Sequence, residues 1–114
     1  MKSLVVGMLL VFVCLGSPPD VAVYPGAVVD EQVSKSIRKS NPENVAYNTT
    51  DGFEKVDDYY KNIGSQDVPH SRNINANMKY VVLRFPGKTF QVQLSWVEAD
   101  KKHGTVIQLV KKRS

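Results

Sequence analysis

The sequence predicts an α+β fold: a single helix packed on an antiparallel sheet in the order β-β-α-β-β-β. Three observations carry that prediction. Phe53, Val56, Tyr60 and Ile63 recur at helical spacing within residues 51–64. Phe90, Val92, Leu94 and Trp96 alternate with Gln91, Gln93 and Ser95 across residues 89–98, the period of a strand with one buried and one wet face. Pro-Gly pairs at 25–26 and 86–87 supply turns between extended segments. With 114 residues there is room for one domain. Its 42% apolar content supports a core without disulfides, which the single Cys14 could not form within the chain.

Residues 1–16 read as a secretory signal peptide: Lys2, an apolar run over 4–15, then the small Gly16 and Ser17 before Pro18 and Pro19. The run is shorter than the roughly 20 residues of a spanning helix. Cleavage after Gly16 leaves residues 17–114 as the mature domain, periplasmic or secreted. The alternative is a lipid anchor on Cys14, although Val13 stands where a small residue normally precedes an acylated cysteine. Membrane contact is expected only if this segment is retained or Cys14 is acylated.

In chain order, residues 17–26 read as an extended lead-in, because Pro18, Pro19 and Pro25 interrupt hydrogen bonding. Tyr24-Pro25-Gly26-Ala27 fits a type II turn. Residues 28–37 are expected as a strand of uneven pattern, broken at 39–44, and paired as a hairpin with a second strand over 45–49. Asp51 and Glu54 form a capping-box-like start to the helix, and Gly64 suits its C-terminal turn. Tyr60 is expected inside and Tyr59 at the rim. The polar stretch over 64–78 is expected as a loop, either a ligand-gating segment or a long excursion crossing the sheet edge from helix to strand. Strands follow over 79–85, 89–98 and 105–111, joined by turns at 85–88 and 99–104.

Chemistry is sparse. No serine sits in a G-x-S-x-G elbow, and neither His70 nor His103 has a neighbour at metal-ligand spacing. Both histidines read as exposed loop residues, and no catalytic residue, metal or cofactor is expected. Asp57 and Asp58 diverge by about 100° on a helix and read as a solvated face. Trp96 reads as core, and Asn48-Thr49-Thr50 is a short sequon without meaning in a bacterial cell. Charge is more informative. Residues 17–67 hold five basic and nine acidic side chains, and residues 68–114 hold nine basic and two acidic. The second half is therefore a candidate surface for an anionic partner, with Lys101, Lys102, His103, Lys111 and Lys112 its expected members. Mutual attraction of the two halves within one fold is the competing explanation. No nucleic-acid motif is present, so nucleic acid is not an expected partner.

Tyr24-Pro25-Gly26-Ala27, then Tyr47-x-Thr49-x-Asp51-x-x-Glu54-x-Val56 with Tyr60-Lys61, then His103-Gly104-Thr105-x-Ile107-x-Leu109 resemble a loose group of small exported bacterial proteins of unknown function. The resemblance covers most of the mature chain and implies bacterial origin and a helix-on-sheet domain. It departs after the helix, where Gly64-Ser65 replaces a common Gly-Trp pair. The function expected from these features is a non-enzymatic binding module of the cell envelope, meeting an envelope protein or anionic envelope component through a sheet face or edge. The rival is a small ligand-binding protein or hydrolase using the 64–78 loop, with His70 and Arg72 as its site. An inert module of a larger assembly is a third reading.

Overall fold

The computed structural model describes residues 19–112. Seven strands form one antiparallel sheet: β1 Val28–Val29, β2 Val45–Thr49, β3 Gln66–Asp67, β4 Asn73–Ile74, β5 Met78–Arg84, β6 Phe90–Val97 and β7 Thr105–Lys111. Helix α1 spans Glu31–Arg38, α2 spans Phe53–Asn62, and a 3-10 helix covers Glu98–His103. Neighbours in the sheet run β1-β2-β7-β6-β5-β3, with β4 also on β5. The α+β class and the antiparallel sheet agree with the sequence expectation. The single helix and the β-β-α-β-β-β order do not.

The main correction falls on residues 28–37. Only Val28 and Val29 pair with β2, opposite Asn48 and Tyr47. Asp30 then accepts a hydrogen bond from Val33 N–H at 3.0 Å and caps α1, which has Glu31 in its first turn and Lys35 and Arg38 in its last. Acid at the start and base at the end suit the helix dipole, and that preference outweighs the β-branched valines. The expected hairpin is therefore a strand, a helix and a strand.

Helix α2 lies where the sequence places it. Phe53, Val56 and Tyr60 are buried against Val81, Leu83, Phe90, Val92, Leu94, Ile107 and Leu109. Tyr60 is inside and Tyr59 only partly buried, as expected. Ile63, expected on the same face, is 45% exposed because the helix stops at Asn62 and the chain turns away. Asp51 does not cap the helix; Gly52 occupies that position without a side-chain bond.

Asp51 is instead a junction. Its carboxylate accepts from the Tyr24 hydroxyl at 2.5 Å, its N–H donates to Thr49 Oγ1 at 3.2 Å, and its carbonyl accepts from the buried Thr105 hydroxyl at 2.8 Å. Gly104 has φ 80°, and a Cβ there would stand 2.1 Å from the Thr49 carbonyl oxygen. The three short motifs around Tyr24, Asp51 and Thr105 therefore meet at one place and hold the turn between β2 and α2.

Both long edges of the sheet are closed by the same device. Ser34 Oγ on α1 accepts from Ala46 N–H at 2.9 Å and donates to Ala46 C=O at 3.1 Å. Ser71 Oγ does likewise for Val82, accepting at 3.1 Å and donating at 3.2 Å. Each hydroxyl stands in for a neighbouring strand and satisfies an edge that would otherwise template further pairing. Residues 64–78, expected as a loop, thus run along β5, pairing through β3 and β4 and through Ser71 between them. The sheet face away from α2 carries Gln91, Gln93 and Ser95 of β6 beside Tyr80 and Val82 of β5.

Candidate functional site

Residues 20–24 run as a strap along α2. Tyr60 Oη donates to the Ala22 carbonyl at 2.9 Å, and the Tyr24 and Tyr59 rings meet edge to face at 5.2 Å. The strap begins at Asp20, whose carboxylate accepts from Thr89 N–H at 2.8 Å, Thr89 Oγ1 at 3.0 Å and Phe90 N–H at 3.1 Å. Burial pushes the Asp20 carboxyl up, but these bonds outweigh it and hold it below the usual carboxylate range. The Thr89 carbonyl accepts from Lys112 N–H at 2.7 Å. Thr89 is thus the point where the strap, the β5–β6 turn and the end of β7 are joined.

Beside that point lies a cavity of about 190 Å³. The turn Phe85-Pro86-Gly87-Lys88 forms one wall, closed by a Lys88 N–H to Phe85 C=O bond of 3.0 Å with Gly87 at φ 80°. The sequence reads a turn here, and glycine at positive φ after proline gives it the type II form. Arg84, Lys88 and Lys112 also line it, with Gln66 and Gln91, and no carboxylate among the described residues does. None of the three cations has an ion-pair partner among the described residues. Arg84 Nη2 is 3.5 Å from Gln66 Oε1, a weak contact that leaves the guanidinium open. The space suits a phosphate- or carboxylate-sized group; pockets for whole metabolites run to about 300–1,000 Å³.

The residues expected to form one anionic-partner surface are divided between opposite ends of the sheet. Lys111 and Lys112 close β7, whereas Lys101, Lys102 and His103 precede it, about 20 Å away at the rise of a strand. Lys111 pairs with Glu43 at 3.1 Å and Lys101 with Glu98 at 3.2 Å. Lys102 is exposed. Of the five, only Lys112 lines the cavity, and Arg84 and Lys88 join it there. The sequence shows Arg84 and Lys88 as an isolated pair flanking a Pro-Gly turn; the turn itself was the signal that could have brought them together.

His103 is not the exposed loop histidine expected from sequence. Its Nε2 lies 2.5 Å from Asp30 Oδ2 and its Nδ1 3.4 Å from Asp100 Oδ2. Asn48 Nδ2 donates to the same Asp30 oxygen at 3.2 Å. The hydrogen bond to Asp30 raises the His103 pKa, with the Asp30 and Asp100 charges adding to it against a smaller burial cost. Burial pushes Asp30 up, but the bonds from His103, Val33 N–H and Asn48 leave it below its usual value. With a carboxylate at each nitrogen, the ring favours the doubly protonated state and offers no lone pair to a substrate. The adjoining cavity, lined by Ser95, Trp96 and Asp100, is only about 50 Å³.

Arg72 is likewise committed within the fold. Its guanidinium donates to Asp67 at 2.7 and 2.9 Å and to Asp57 at 3.1 Å, while Lys61 lies 3.7 Å from Asp57 and 3.8 Å from Asp67. Asp57, expected on a solvated face, is 7% exposed, because the returning chain covers it; Asp58 remains exposed. The Asp67 bond raises the Arg72 pKa, and Arg72 in turn lowers that of Asp67. His70 stands apart, exposed, with a left-handed φ of 66°. Trp96 is partly buried, with Lys79 Nζ 4.9 Å over its ring and 2.8 Å from Glu54. Among the described residues no His, Cys, Asp and Glu cluster fits a metal ion, and no helix is long and apolar enough to cross a membrane. No protein-family model matches the chain, and no curated protein or solved structure matches it either.

Proposed function

We propose that this is an exported, non-enzymatic binding module of the bacterial cell envelope, and that it holds an anionic envelope component at the basic cavity beside the β5–β6 turn. The observation that carries the reading is the convergence of Arg84, Lys88 and Lys112 on one cavity that no carboxylate among the described residues lines. Three other cations are already matched across the fold: Lys79 with Glu54, Lys111 with Glu43, Arg72 with Asp57 and Asp67. Attraction between the acidic and basic halves therefore accounts for part of the charge asymmetry; of the second-half cations without an ion pair among the described residues, Arg84, Lys88 and Lys112 line the cavity and Lys102 stands apart. A guanidinium offers paired donors to a carboxylate or phosphate, and two ammonium groups add point charges. His103, Arg72 and the small cavity beside Ser95 supply no base, nucleophile or substrate volume that favours an enzyme.

The test is retention on anionic envelope material at low and moderate salt. Exchanging Lys88 and Lys112 for Glu should abolish retention, and exchanging Lys101 and Lys102 for Glu should leave it intact. Equal loss in both variants would remove the cavity as the site. Retention that ignores salt would remove the electrostatic basis altogether.

A further inference from the structure

We propose that, in the chain that carries residues 1–16, the basic cavity is the lipid-facing end of the domain and takes the phosphate of an anionic phospholipid headgroup. This rests on the anion-binding reading above and adds the partner. The first observation is where the strap begins. The three hydrogen bonds from Thr89 and Phe90 fix Asp20 at the same end of the sheet as Lys88, and the Thr89 carbonyl holds Lys112 there too. The second is the sequence that leads into Asp20. The apolar run over residues 4–15 stops five positions before it, so an extended link spans at most about 18 Å. An apolar run seated in a bilayer therefore brings Arg84, Lys88 and Lys112 close to the headgroups, and Arg113 follows Lys112 in sequence.

Charge makes the same distinction between the two ends. At the far end Lys101 faces Glu98, His103 lies between Asp30 and Asp100, and Lys102 is the one cation of that turn without an ion pair among the described residues. At the near end no carboxylate among the described residues lines the cavity, and the acid of the strap, Asp20, directs its charged carboxylate at two backbone N–H groups and a hydroxyl. Twelve apolar residues are too few to span a bilayer, and one short apolar anchor gives marginal, reversible attachment. A basic patch is the second signal that such anchors need. A phosphodiester presents one negative charge and acceptor oxygens, which suits a guanidinium flanked by two ammonium groups.

The experiment uses the full chain with vesicles of phosphatidylcholine alone and of phosphatidylcholine mixed with phosphatidylglycerol, followed by amine acylation and mass spectrometry. Lys88 and Lys112 should react at least about threefold more slowly on the anionic vesicles than on the neutral ones, with Lys101 and Lys102 unchanged. Protection that is equal in both lipids, or that falls on Lys101 and Lys102, overturns the proposal. Two soluble probes separate its failure from that of the broader reading. Glycerol phosphate that protects Lys88 and Lys112 while vesicles do not overturns the lipid partner and leaves an anion site. Polyglutamate protecting them where both lipid and glycerol phosphate fail assigns the end to an acidic protein, again overturning the lipid partner. Lack of protection by any of the three removes both readings. Arg84→Gln, an exposed change, should weaken the anionic-vesicle protection of Lys88; unchanged protection would contradict a shared site.

Discussion

Tyr24 donates its hydroxyl proton to Asp51 at 2.5 Å across 27 residues of sequence, and that bond ties the strap to the junction where β2 passes into α2. The bond to Asp51 is also the main reason that the Tyr24 hydroxyl is pushed up to about 12, with burial adding to it. Tyr24→Phe keeps the ring against Tyr59 and removes only the bond. It should cost about 1–2 kcal/mol at neutral pH, the lower part of the range for a bond to a charged group because Asp51 is partly exposed. An unchanged urea midpoint would refute the assignment. Since the folded pKa is raised, the stabilisation is complete below about pH 10 and lost as pH climbs toward 12.

The pair of His103 and Asp30 gives a pH dependence of opposite limits. His103 is raised above its ordinary 6.5, so its contribution is complete below that pH and declines as pH rises through the folded value. Asp30 is lowered below 3.8, so its contribution is present above that pH and lost as pH falls. Their joint window lies between these limits. His103→Asn should destabilise the domain by about 1–2 kcal/mol near pH 6 and by clearly less near pH 9. Thermal melts of both proteins across that range would show parallel curves if the ion pair contributed nothing.

Gly104 allows no side chain. At φ 80° an added Cβ would stand 2.1 Å from a backbone oxygen, so the β2–β7 pairing must yield. Gly104→Ala should cost at least about 3 kcal/mol or prevent folding. A circular-dichroism melt within a few degrees of the parent would show that the turn has room to relax.

Removing Arg72 strands Asp57, which is 7% exposed and left with only the Lys61 contact at 3.7 Å. Arg72→Met should cost about 2–4 kcal/mol, since an uncompensated buried carboxylate is worse than none. Asp57→Asn in the same chain should recover part of the loss. Two costs that simply add in a double-mutant cycle would place the two residues outside any shared network.

Legibility followed the range of the interactions. Helix α2, strands β5 to β7 and both Pro-Gly turns were readable because their signals are local: a period of 3.6, a period of two, and a proline followed by glycine at positive φ. Helix α1 was misread because Val28, Val29 and Val33 suggested a strand, although Asp30 before Glu31, with Val33 and Ile37 four apart, held the alternative. Ser34 and Ser71 were opaque, since a serine that completes a sheet edge looks like any loop serine until its partner strand is in place. The cavity draws on residues 84, 88 and 112, and the His103 pair on residues 30 and 103, separations over which a single sequence carries no pattern. Lys101 and Lys111 looked equally free in sequence; only the fold puts Glu98 and Glu43 beside them.

The Thr89 hub has a topological consequence. Asp20 and Lys112 both bond to this one residue from opposite sides of its peptide units, so the described chain closes on itself almost as a ring. A short linker between those positions, with a break opened at the exposed residues near His70, would reorder the chain without crossing the core. The same closure couples the two segments: loosening the strap loosens the last residues of β7, and loosening β7 there loosens the strap.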